Sequence, residues 1–257
     1  MAGVRSEQQG AVRILILDDP ATLNAMTPLL LRGLAGAIAE ATADPGVRCL
    51  LLTGAGRGFC SGQNLKGGDL FPEGVVEGVM THYWPAFRAI RECAVPVVVA
   101  VNGVAAGGGC SLALAGDVIV AARSASFLQV FSRIGLVPDL GSTWLLPRLI
   151  GRQRALEMMM LNEPLPAERA RDWGIVREVF EDAELREGAL ALAARLADGP
   201  TRALVATRRL VDESEHASYE EQFRRELEVQ EGVRESADAL EGRAAFRERR
   251  KARFTGA

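Results

Sequence analysis

Four apolar runs, VRILIL (12–17), VRCLLLTG (47–54), VPVVVAV (95–101) and DVIVAA (117–122), are rich in β-branched residues and lack the polar alternation of a half-exposed strand. Strands covered on both faces have that pattern, and it belongs to parallel sheets with helices packed on either side. Helical spacing fills the intervals near 27–41 and 78–92, and another helix is expected after the glycines at 107–109. Strand and helix in alternation predict an α/β fold. From about residue 141 the chain turns helical. ERARDWG (168–174) reads as a short helix closed by Gly174, and IVREVF (175–180) as a last extended segment. Charged helices follow over 184–198, 201–212, 218–230 and 234–250, with DGP (198–200) stopping one before the next. The expected organisation is a core over 1–198 and a helical region over 199–257.

Composition narrows the function classes. A net charge of −3 gives no concentrated basic surface, so no nucleic-acid partner is expected. No uninterrupted apolar stretch is long enough for a secretion signal or a membrane span, and a cytoplasmic protein is expected. The cysteines at 49, 60, 93 and 110 show no C-x-x-C spacing, and His82 and His216 are the only histidines. A metal site is therefore not expected, and the four thiols are read as reduced.

Two glycine-rich turns stand out. NGVAAGGGCSLALAGD (102–117) follows the third strand and opens a helix, whose first N–H groups have no intrahelical acceptor. Naked backbone there suits either an anion site or close helix–strand packing. Neither G-x-x-x-x-G-K-[ST] nor G-x-G-x-x-G is present, which argues against a phosphate loop. TGAGRGFCSGQNLKGGDL (53–70) follows the second strand at its carboxyl end, where open α/β sheets place ligands. If the N–H of Gln63 meets that of Gly108, the pair forms an oxyanion hole.

PATLNAM (20–26), GFCSGQNL (58–65), NGVAAGGGCSLALAGD (102–117) and GLVPDLGSTWLLPRLIG (135–151) occur in the order and spacing of the crotonase, or enoyl-CoA hydratase/isomerase, superfamily, which the chain resembles over nearly its whole length. The resemblance implies a spiral of ββα units with a C-terminal helical region used in trimerisation, as a homotrimer or a dimer of trimers. It implies an acyl-CoA substrate whose thioester oxygen sits between Gln63 N and Gly108 N, with coenzyme A as part of the substrate and no separate cofactor. By motif position, Leu23, Ala25, Gln63, Asn64, Leu65, Lys66 and Gly108 line the CoA and its thioester.

Crotonase-type hydratases carry two glutamates, at positions that are Ser111 and Phe131 here. Hydration needs a base for the water and an acid for the α-carbon, so a simple hydratase is disfavoured. Between Cys93 and Leu156 the carboxylates are Asp117 and Asp139. Asp117, between a helix and a strand, reads as a cap or turn residue. Asp139 taken alone reads as a helix N-cap. The stretch FSRIGLVPDLGSTWLLPRLIGR (131–152) is similar to the isomerase branch, the 1,2-epoxyphenylacetyl-CoA and Δ3,Δ2-enoyl-CoA isomerases, in which the aspartate of PD is the catalytic carboxylate. The resemblance thus implies a double-bond shift, or epoxide opening to an oxepin, with Asp139 as acid and base. Leu136, Val137, Leu140 and Phe131 are expected to raise its pKa. The alternatives are a hydratase-like lyase and a non-catalytic acyl-CoA-binding homologue.

Three further features complete the reading. The segment 69–87 is either a lid over the acyl chain or a plain loop and helix. The basic run EGRAAFRERRKARF (241–254) is a solvated face or a patch for CoA phosphates of a neighbouring subunit. Tyr219, Phe223 and Leu227, four residues apart, predict a helix face buried on another element or subunit.

Overall fold

The computed structural model describes residues 3–65 and 71–257. The four apolar runs become β2 (Val12–Asp18), β3 (Cys49–Gly54), β5 (Val97–Val101) and β7 (Val118–Ala122), parallel neighbours in one sheet. Ile14, Leu51, Val98 and Val118 stand in one row across them. Every residue of β5 is buried, as the lack of polar alternation requires. Two edge strands complete the sheet. β10 (Glu178–Phe180) joins β7 in parallel, and β1 (Gly3–Gln9) pairs antiparallel with β2. Sequence reasoning missed β1, because its GVRSEQQ carries no apolar face and suits the charged edge of a sheet.

A second, smaller sheet holds β4 (Gly58–Cys60), β6 (Val104–Ala106) and β8 (Ser126–Leu128) in parallel, with β9 (Leu165–Pro166) antiparallel at its edge. After β3 the chain enters β4, after β5 it enters β6, and after β7 it enters β8. Each turn therefore adds one strand to each sheet before a helix returns it: α2 (Val75–His82) and α3 (Trp84–Arg91), then α4 (Gly108–Leu114), then α5 (Ser142–Ile150) and α6 (Arg152–Leu161). That is the expected spiral of ββα units. α1 (Pro28–Ala43) is capped by Thr27, whose hydroxyl accepts from Leu30 N (3.1 Å) and precedes a proline at the first helical position. The single helix expected over 78–92 is two helices, separated at Tyr83 just ahead of Pro85. Proline tolerates the first turn of a helix but not its interior.

In the C-terminal part, α7 (Ala167–Trp173) ends at Gly174, whose left-handed backbone (φ +92°) closes it as expected. α8 (Leu185–Ala197) packs on β3 and β5. α9 (Thr201–Ser214), α10 (Tyr219–Val233) and α11 (Ala237–Glu248) follow. Asp117 is structural, in line with its reading as a turn residue: its Oδ2 accepts from Val97 N (2.8 Å) and pairs with Arg208 of α9 (2.9 Å). Arg208 is nearly buried and also donates to the carbonyls of Cys93 and Val95. Arg48, at the foot of β3, donates to the Gly199 carbonyl, to Thr201 Oγ1 (3.0 Å) and to the Phe254 carbonyl (2.8 Å).

The apolar face of α10 is not covered within the chain, since Tyr219, Phe223 and Leu227 are all exposed. The basic run at 241–254 is partly occupied by its own acids: Arg250 pairs with Glu241 (2.6 Å) and Glu248 (2.6 Å). All four cysteines are free and buried, and burial pushes the thiols of Cys49, Cys60 and Cys110 up to about 12. Among the described residues no helix is long and apolar enough to cross a membrane.

Removing one partner of a buried pair leaves the other charge stranded. Asp117→Ala should therefore lower unfolding free energy by about 3 kcal/mol in urea titrations. A loss no larger than that of an exposed ion pair would mean that α9 is held without this pair, by packing and by its other contacts such as Arg91–Asp212.

Candidate active site

The site begins with two strips of backbone laid side by side. After the turn at Pro20–Thr22, both Leu23 and Asn24 adopt positive φ (57° each). Fully buried Asn24 makes that conformation possible. Its side-chain amide donates to the carbonyls of Ala55 (3.0 Å), Gly58 (2.8 Å) and Phe59 (3.1 Å), and its oxygen accepts from Asp19 N (2.8 Å). Ser61 N then donates to Leu23 O (3.0 Å), Met26 N to Gly62 O (2.7 Å) and Asn64 N to Met26 O (3.0 Å), which gives a parallel bridge between Met26 and Gln63. Leu23, Ala25, Gln63 and Asn64 are thereby brought onto one ribbon. Ala25 is buried, Gln63 is exposed, and Leu65 continues outward with 63% exposure. Lys66 lies outside the described residues.

The second glycine turn docks on this ribbon. Gly62 has φ +89°, and a Cβ there would stand 2.8 Å from the Ala106 carbonyl and 3.5 Å from Gly108 N. Only a residue without a side chain permits that approach. A Cβ on Gly109 would land on the Cys60 carbonyl, so close packing accounts for the third glycine. Gly108 is the first residue of α4, and neither its N–H nor that of Gln63 has an acceptor among the described residues. Close packing is thus seen at Gly109, and Gly108 carries a backbone donor with no acceptor among the described residues.

Asp139 lies on the third side. A Cβ on Gly108 would press on Met26 Cε and on Leu140 Cδ1 (2.8 Å), which places the residue after Asp139 against the donor turn. The Asp139 carbonyl accepts from Ser142 N (3.2 Å) and Ser142 Oγ (3.0 Å), the pattern of a turn opening α5, and from Ser111 Oγ of α4 (3.2 Å). Its carboxyl has no ion pair among the described residues, and Oδ1 is buried without a hydrogen-bond partner. Loss of solvent raises the Asp139 pKa above the ordinary carboxylate value. The neighbours differ in part from those expected. Leu140 packs on the core, whereas Leu136 and Val137 are 56% and 80% exposed, because the turn at Phe131–Ile134 and the positive φ of Gly135 direct them outward. Phe131 is half-buried and sits beside Gly107.

Beyond Leu140 and Gly141 opens a cavity of about 570 Å³, whose walls include Val79, Met80, Trp84, Phe87 and Trp144. Its size and apolar lining are those of a small-molecule pocket. Within 69–87, the described residues form α2 and α3, and Phe71 packs edge-on against Tyr83 at 5.4 Å. Residues 69 and 70 are outside the description. His82 faces Glu73 at 3.5 Å. Tyr83 is buried, and its hydroxyl is pushed up to about 12 by that burial, with the charge of Asp139 beside it. Sequence reasoning left out Asn24 as a contact-making residue. The signal for Asn24 was its place within LNAM, where a short amide tolerates positive φ.

The family model for enoyl-CoA hydratase/isomerase matches residues 7–257. The chain is 40% identical to the 1,2-epoxyphenylacetyl-CoA isomerase of Escherichia coli K12, over 100% of this chain and 99% of that protein. It is also 40% identical to a probable enoyl-CoA hydratase of Rhodobacter capsulatus, over 98% of each. Among solved structures, an enoyl-CoA hydratase from Polaromonas sp. JS666 superposes with a TM-score of 0.92 at 31% identity, covering 98% of this chain and 99% of that one. A fold of two strand layers wound with helices, a full-length family match and relatives at this identity lead to one conclusion: the chain belongs to the enoyl-CoA hydratase/isomerase family and has the crotonase fold.

Proposed function

We propose that this enzyme isomerises an unsaturated acyl-CoA, with Asp139 as its one proton-transferring carboxylate. The observation that carries the reading is a partly desolvated carboxylate with no ion pair among the described residues, on a turn whose backbone accepts from Ser111 of α4 and whose next residue, Leu140, packs at Gly108, with Ser111 and Phe131 at the two positions where hydratases of the family carry glutamate. The thioester oxygen accepts from Gln63 N–H and Gly108 N–H, and Leu23, Ala25, Asn64 and Leu65 flank the CoA. The Asp139 carboxylate takes a proton from C2 of a 3-enoyl-CoA. The C–H electrons move to the thioester oxygen, where the two N–H groups hold the dienolate charge. The new carboxylic acid returns the proton to C4, and the double bond comes to lie between C2 and C3. No atom is gained or lost, and the step calls on no group beyond the chain and the thioester.

Desolvation suits Asp139 to both halves of this cycle, since a base of higher pKa takes a carbon-bound proton more readily. A hydratase would need a second group to hold or deliver water, and neither Ser111 nor Phe131 can transfer a proton as a carboxylate does. The aromatic walls Trp84, Phe87 and Trp144 favour a second substrate for the same machinery, a cyclic acyl group such as the ring epoxide named for the Escherichia coli relative. Opening that ring to an oxepin is also an isomerisation. The exposed Tyr219, Phe223 and Leu227 fit the helical face of a homotrimer or a dimer of trimers, and four buried free thiols fit a cytoplasmic setting.

The direct test is turnover of a 3-enoyl-CoA, followed by absorbance of the conjugated product and by mass. Migration with no mass change is expected, and Asp139→Asn should lower kcat by roughly 10²–10⁴-fold. A gain of one water would restore the hydratase reading. Tight binding with no turnover of either substrate would favour a binding-only homologue.

The acid limb of the kcat/KM profile should have its midpoint above about 3.9, the ordinary aspartate value. A midpoint at or below that value would argue against Asp139 as the base.

Stability gives a separate readout. Because the folded-state pKa of Asp139 is raised, its contribution is full below the ordinary carboxylate range and is lost as pH rises through the folded value. Asp139→Asn should therefore melt higher than the wild type at neutral pH. The difference should close below about pH 4; a lower melting point at neutral pH would contradict the desolvation.

A further inference from the structure

Ser111 is completely buried in α4, where hydratases of the family carry a glutamate, and its hydroxyl lies within reach of two carbonyls. One is Gly107 O at 3.5 Å, the long return bond of a helical serine to the preceding turn. The other is Asp139 O at 3.2 Å, which belongs to a different element. The remaining donors to that carbonyl, Ser142 N and Ser142 Oγ, come from the same turn as Asp139. Among the described residues, Ser111 Oγ supplies the hydrogen bond that joins α4, with its free Gly108 N–H, to the segment bearing the carboxylate.

The need for such a strut follows from the backbone beyond Asp139. Leu140 (φ +52°) and Gly141 (φ +84°) are both left-handed, so no regular ladder fixes the orientation of this peptide. A leucine in that region is strained and is held there by its surroundings. If the turn relaxes, the carboxyl moves relative to the donor pair.

We propose that Ser111 is a positioning residue, whose hydroxyl fixes the backbone of Asp139 and hence the reach of its carboxyl relative to Gly108 N. The proposal rests on Asp139 being the proton carrier. Proton transfer between C2 and C4 asks one carboxyl to serve two carbons while the thioester oxygen stays fixed, and a misplacement of about 1 Å can cost about 10²-fold in rate. CoA binding depends on the Leu23–Asn64 ribbon, which Ser111 does not touch. The Ser111→Ala variant removes one oxygen, installs a good helix former and leaves the Asp139 carbonyl with two donors, so the fold should persist.

The experiment measures kcat and KM on a 3-enoyl-CoA, affinity for butyryl-CoA by calorimetry, and melting temperature, for wild type, Ser111→Ala, Ser111→Thr and Asp139→Asn. Ser111→Ala should lose about 10- to 100-fold in kcat, with KM and butyryl-CoA affinity within about twofold of wild type. Ser111→Thr, which keeps the hydroxyl, should recover most of the rate if its melting temperature matches that of wild type. Wild-type kcat in a folded Ser111→Ala would overturn the proposal, as would a folded Ser111→Thr no faster than Ser111→Ala. An inactive Asp139→Asn beside a fully active Ser111→Ala would overturn the strut alone. An active Asp139→Asn would overturn the catalytic reading on which it stands.

Discussion

The close approach of two backbones carries the rest of this site. The Cys60–Gln63 and Ala106–Gly109 segments touch at distances that any side chain would forbid at Gly62 or Gly109. Parallel pairing makes the encounter unavoidable, because β3 and β5 run in register and both leave the large sheet at the same end. Each then enters the small sheet, where β4 and β6 are again neighbours. Two turns that are far apart in the chain are thus held within a few ångströms, with two N–H groups that have no acceptor among the described residues. Backbone amides fixed in a strand-and-helix scaffold stay in place without the entropy cost of ordering side chains, which suits them to the oxyanion role proposed for Gln63 and Gly108.

Around that pair the chain uses side chains mainly as ties. Asn24 staples a left-handed turn to three carbonyls, so that Met26 pairs with Gln63. Ser111 and Ser142 converge on one carbonyl and hold the turn at Asp139. The carboxyl of Asp139, the proposed proton carrier, has no ion pair among the described residues. A carboxylate surrounded by donors would be a weak base, whereas one with a buried, unpaired oxygen is stronger. Structure is therefore spent on geometry, and the carboxyl is left chemically free.

Much of this was legible in the sequence. The four core strands announced themselves because burial on both faces leaves no room for polar residues, and Gly174 marked its helix end because only glycine enters that conformation cheaply. β1 was silent, since an edge strand stabilised by pairing to β2 carries no apolar pattern of its own. The small sheet was silent too, because strands of three residues are too short for any periodicity. The assignment of Gln63, Gly108 and Asp139 to the proposed site rests on motif position. The exposure of Leu136 and Val137 was missed, because it depends on a turn whose direction is set by the positive φ of Gly135 rather than by hydropathy. The Ser111 strut was out of reach for a similar reason: residues 28 apart share no local signal.

The ion pairs that fasten α9 also shape the history of each molecule during synthesis. Asp117 and the carbonyls of Cys93 and Val95 belong to the spiral, yet the arginine that serves them, Arg208, arrives some ninety residues later. Arg48 waits longer still, since its acceptors lie at Gly199, Thr201 and Phe254. A growing chain can thus build its sheets well before it can neutralise the charges at their edge. Until α9 docks, Asp117 keeps only the Val97 N–H and Arg48 lacks the acceptors it has in the finished fold, the kind of incomplete species that chaperones engage. Completion comes in steps: α8 covers the sheet first, α9 then brings Arg208 to Asp117, and the Phe254 carbonyl reaches Arg48 last.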